Sequence, residues 1–246
     1  MSFNVFSLPR ELRDQIYEQV LSHQERIDPW NKINQPLNLT FGLLYVSKII
    51  HREVSSVLYG RNCFDFSVRD SEDVASFLGQ IGRHNAECIR HMCIDFPDFT
   101  PPDSDDVSLE YDSANILANI RSTCANFNTL TTSIDSTNAM ELRLDALDNY
   151  KVIDKALELV NAQFRTITSL QKVIIEVYED SPSDYVRRQM ESYGWILHIM
   201  EHVEEESDRS FSDFDYDYGG YNSSDHDDHD SYDIDNDSDF WRRAAD

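Results

Sequence analysis

The chain has 246 residues with a formal net charge of −25 from 21 basic and 46 acidic side chains. Such a surface repels nucleic acid and anionic membranes and favours, if anything, basic protein partners. Apolar residues make up 40% of the chain, enough for a core, and the longest apolar runs, Phe41–Val46 and Val173–Val177, are far too short to span a bilayer.

The charge is uneven. From Glu204 onward there are 16 acidic and 3 basic residues, a net of −13. That stretch has no apolar periodicity and is dominated by Asp, Ser, Tyr, Gly, Asn and His, so residues 207–246 are expected to form a disordered acidic tail. Met1–Arg10 lacks the basic and apolar regions of a secretory signal, so cytoplasm or nucleus is the expected compartment. The four cysteines, Cys63, Cys88, Cys93 and Cys124, have no framework spacing and read as small buried apolar residues.

Helical periodicity opens the chain. Pro9 suits a first helical turn and Glu11 complements the helix N-terminus. Leu8, Leu12, Ile16 and Val20 then recur every four residues, a stripe that could pack on Val46, Ile50 and Val54 or face a partner. Ser22–Thr40, with Pro29 and Pro36, reads as a loop. A second helical block runs from Leu43 to Tyr59 and stops at Gly60.

Beyond Gly60 strands and helices alternate. Strands are expected at Cys63–Val68, Ile89–Phe96, Leu130–Ile134 and Leu170–Tyr178. Helices are expected at Ser71–Ile81, Ser113–Phe127, Tyr150–Thr168 and Tyr185–Val203. Phe99–Asp106 reads as a loop. The run Val173–Val177 suggests a strand covered on both faces, and Phe164 and Ile174 are expected to be buried. The fold class is therefore α+β: a helical head over residues 1–60, a small α/β layer over 61–206 with a parallel sheet, and the acidic tail. The last three strands lie roughly forty residues apart, and the phrases Asn128-Thr129-Leu130 and Thr168-Ser169-Leu170 hint at a repeat. An irregular leucine-rich solenoid and a small open α/β layer both accommodate that spacing.

Leu8-Pro9-Arg10-Glu11-Leu12-Arg13-Asp14-Gln15-Ile16-Tyr17-Glu18 resembles the opening of the F-box found in filamentous fungi. Leu43 to Ile50 is similar to that family's second block. Glu53-Val54 with Val57-Leu58-Tyr59-Gly60-Arg61-Asn62-Cys63-Phe64 resembles its close. Phe77-Leu78 with Ile81-Gly82, and Ile89-Arg90-His91, continue the likeness through about residue 96, although Ser22–Thr40 is longer than its counterpart. The resemblance implies a substrate receptor whose head binds a Skp-type adaptor of a cullin-RING ubiquitin ligase while the remainder holds an unknown protein substrate. Carried over, Leu8, Pro9, Leu12 and Ile16 fall in the adaptor-facing start, and Val46 and Ser47 in the second motif. The alternative is a ligase-independent interaction or structural protein.

Chemistry finds little footing. Cys88, His91 and Cys93 lack the second ligand pair that zinc requires. His226–Asp230 does not fit a calcium loop. No residue pattern places a base beside a nucleophilic cysteine, and the seven glycines form no phosphate-binding loop. The expectation is a non-catalytic protein without metal or cofactor. Ser210, Ser212 and Ser224 sit in acidic surroundings of the kind acid-directed kinases favour.

Overall fold

A computed structural model describes residues 5–30, 47–100, 107–145 and 150–200. The expected tail at 207–246 and most of the expected loop at 22–40 lie outside the described residues, as does Val46. Within them the fold is α+β.

After a 3-10 turn at Val5–Ser7, helix α1 spans Arg10–Leu21 and α2 spans Lys48–Arg61. Then follow β1 (Cys63–Asp65), α3 (Ser71–Cys88), β2 (His91–Ile94), β3 (Phe99–Thr100), β4 (Ser108–Leu109), α4 (Tyr111–Thr123), β5 (Thr129–Thr132), α5 (Ile134–Asp145), α6 (Tyr150–Arg165), β6 (Lys172–Tyr178), α7 (Asp184–Ser192) and β7 (Ile196–Met200). β3, at the start of the segment expected to be a loop, pairs antiparallel with β4 just beyond that segment.

The main sheet has the order β1-β2-β5-β6-β7 and every pair is parallel. Each strand lies beside the preceding strand of this sheet, so right-handed crossovers carry the helices to a single face. In keeping with this, α2, α3, α4, α6 and α7 pack side by side in sequence. Side chains alternate across the sheet. Phe64, Met92, Ile94, Leu130, Val173, Ile175 and Val177 are buried under the helices. The other face carries Cys63, Asp65, His91, Thr129 and Ile174, all half-buried, exposed Lys172, and the buried Cys93, Thr131 and Glu176. Ile174 is thus not the fully buried residue expected. Among the described residues Ile175 is the one of the pair sealed in the core.

The repeat is real in the backbone but out of step with the phrase that suggested it. The Arg90 carbonyl accepts the amides of Asn128 and Thr129, both at 3.0 Å, and the Asn128 carbonyl accepts those of Gln171 and Lys172 at 2.9 and 3.0 Å. The same joint opens successive strands, with Met92, Leu130 and Val173 in register. Leu130 therefore corresponds to Val173, three residues beyond the Leu170 of the sequence phrase.

Two elements differ from expectation for identifiable reasons. The helix expected through Val203 ends at Ser192. Gly194 adopts φ +83°, its amide donates to the Glu191 carbonyl at 2.9 Å, and the Trp195 amide donates to that of Met190 at 3.2 Å. These paired bonds close a glycine-terminated helix, and buried Trp195 and Met190 are the apolar pair that accompanies it. Leu197 and Met200 kept the helical spacing by coincidence and belong to β7. Likewise Gly82, at φ 76° and ψ 161°, kinks α3 where the helix was expected to end, and helical structure resumes as far as Cys88.

Helix α2 belongs to two clusters. Ile50, Val54 and Val57 join Tyr17 and Leu21 in a small head core, whereas Leu58 and Tyr59 join the main core with Phe64, Ile89 and Leu130. Among the described residues no helix is long and apolar enough to cross a membrane.

Phe164 is 2% exposed and packs on Trp195 at 5.5 Å between ring centroids. Phe164→Ala is expected to cost about 3–5 kcal/mol, measured by denaturant unfolding. A cost near zero would contradict this packing.

Candidate partner-binding face of the head

Helix α1 starts where Pro9, at φ −53° and ψ 152°, fixes the backbone just outside the first turn. Glu11 occupies that turn, and Arg10 Nε donates to Asp14 Oδ1 at 2.7 Å one turn on. Which way the helix faces is decided by Glu53 of α2. Arg13 Nε donates to Glu53 Oε2 at 2.9 Å and Arg13 Nη2 to Oε1 at 2.5 Å. The Tyr17 hydroxyl donates to Oε2 at 3.2 Å, and Arg10 Nη1 lies 3.3 Å from Oε1. The remaining Arg13 nitrogen, Nη1, donates to the Leu8 carbonyl at 2.7 Å and so anchors the chain ahead of the helix. A two-pronged guanidinium–carboxylate pair fixes orientation as well as distance.

With Arg13 and Tyr17 turned toward α2, Tyr17 and Leu21 fill the head core. Leu12, Ile16 and Val20, displaced around the helix from that face, point outward at 45%, 44% and 44% exposure. The apolar stripe read from the sequence is therefore not the packing face: none of these three residues is buried against Ile50 or Val54. Phe6, stacked under the Arg13 guanidinium, and Ile49 on α2 are also exposed. Single exposed apolar residues are ordinary, but a stripe repeating along one helix is the kind of patch that marks a partner site.

The expected site residues divide accordingly. Leu12 and Ile16 share the outward stripe; Leu8 is half-buried and Pro9 exposed just before it. Ser47 is the N-cap of α2, its Oγ accepting from the Ile50 amide at 3.2 Å, which is a helix-starting role. Glu53 was legible only as part of a family likeness. The signal that identifies its role is an acidic residue interrupting the apolar positions Ile50, Val54 and Val57, which calls for a cation on the facing helix.

A second polar cluster lies on the uncovered sheet face. Arg26 forms an ion pair with Glu176, 150 residues away, and donates from Nη1 to Cys93 Sγ at 3.0 Å. His91 Nε2 lies 2.8 Å from Thr131 Oγ1. Burial, then the charges of Arg26 and Lys172, push the His91 pKa down to about 4. Burial likewise pushes the Cys63 and Cys124 thiols up to about 12, and Cys93 upward as well. At neutral pH these thiols are protonated and weak nucleophiles. Among the described residues no group of three His, Cys, Asp or Glu side chains could hold a metal ion.

Comparison with known proteins adds nothing to this geometry: no family model matches the chain, and neither a curated protein nor a solved structure matches it.

The clamp has a pH signature. The hydrogen bond from Arg13, opposed by desolvation and aided by the charges of Arg10 and Arg13, holds the Glu53 carboxyl below its ordinary 4.5. A lowered carboxylate value stabilises the folded head fully above that ordinary pH, and the contribution is lost as pH falls through the folded-state value. Glu53→Gln is expected to melt several degrees below wild type at neutral pH, and the gap is expected to close under acid conditions. Melting curves across that pH range provide the measurement, and a pH-independent gap would contradict the clamp.

Proposed function

We propose that this chain is an F-box-like substrate receptor: its head binds a Skp-type adaptor of a cullin-RING ubiquitin ligase, and the α/β layer receives a protein target. It performs no chemistry itself and acts by raising the target's effective concentration near the ligase. The observation that carries this reading is the outward stripe Leu12-Ile16-Val20, which begins beside Leu8-Pro9 and is turned away from the head core by the Arg13–Glu53 pair. Leu8, Pro9, Leu12 and Ile16 are the adaptor contacts of this reading, and Val46 and Ser47 complete its second motif. A basic target would also suit the acidic C-terminal segment. The proposed compartment is cytoplasm or nucleus.

A second reading, a ligase-independent interaction or structural protein, draws support from Ser47, whose hydroxyl is engaged in capping α2 rather than free for a partner.

Titration of the host's own Skp-type adaptor against wild type and a Leu8→Asp, Pro9→Ala double variant separates the two. Burying one leucine at an interface contributes roughly 1.5–3 kcal/mol, so the double variant is expected to bind at least about tenfold more weakly. Its helical circular dichroism is expected to persist, since Pro9 is exposed and Leu8 only half-buried. No binding by wild type at micromolar adaptor would reject the receptor reading in favour of the second. Equal binding by both would reject Leu8 and Pro9 as the contact surface.

A further inference from the structure

We draw no further inference here: the strongest candidate, the apolar β7 edge of the main sheet with exposed Ile196, Ile199 and Met200, carries nothing because the neighbouring helix α7 sets Arg187 and Arg188 against Asp184 and Glu191 and nothing in the structure shows what covers the edge.

Discussion

Glu53 is 5% exposed and its carboxylate is held by Arg13, Arg10 and Tyr17 together. An isolated carboxylate at such depth would be costly, and the cost is offset only while both of its oxygens keep their donors. The head therefore has one rotational setting of α1 in which this requirement is met. That setting sends Tyr17 and Leu21 inward and leaves Leu12, Ile16 and Val20 outside. Apolar burial alone would favour a different one, since three aliphatic side chains are left facing water. A polar constraint has overridden the hydrophobic pattern, and the surface available to a partner is the consequence.

The same helix that carries Glu53 couples the head to the sheet. Its Ile50, Val54 and Val57 lie in the head core, while its Leu58 and Tyr59 lie in the main core. Asn62, immediately beyond it, donates to the carbonyls of Leu21 and Leu58, both at 2.8 Å, and its side-chain oxygen accepts from the His23 amide at 2.7 Å. From there the chain reaches Ile27 at the sheet edge and Arg26 over the sheet face, where Glu176 receives the guanidinium. The orientation of the head is thus fixed by a continuous path of buried contacts. The sheet takes its asymmetry from topology: strands added in chain order place the helices on one side. The opposite face is left to a mixture of polar and apolar side chains and the Arg26 tie, and the last strand has β6 as its one strand neighbour among the described residues.

Several features were legible from the chain because they follow from local periodicity. The alternation of strands and helices after Gly60, the strong amphipathic pattern of α6 and the strand centred on Ile175 each reflect short-range spacing that survives folding. The stop at Gly194 was also written locally, in a glycine between Tyr193 and Trp195. Val186, Met190, Tyr193, Leu197 and Met200 mask it, because they preserve a helical interval across it. The α5 helix has a weak sequence signal because its apolar residues are few: Met140 and Leu144 are buried, while Leu142 is exposed.

The sequence by itself determined the fold class, the order of most elements and the concentration of negative charge toward the C-terminal end, because propensity, periodicity and composition are local quantities. It also contained Leu8, Leu12, Ile16 and Val20 as a stripe, but not which way the stripe would face. Tertiary structure decided that direction, because it depends on Arg13 meeting Glu53 forty residues away, a pairing to which no helical period responds. Tertiary structure likewise decided that Ile174 faces away from the helices, that Arg26 and Glu176 meet across 150 residues, and that one sheet edge is closed by Ile27 while β7 pairs with β6 alone among the described residues. Each of these is a relation between distant segments, fixed by which partner satisfies a buried charge or an unpaired backbone group.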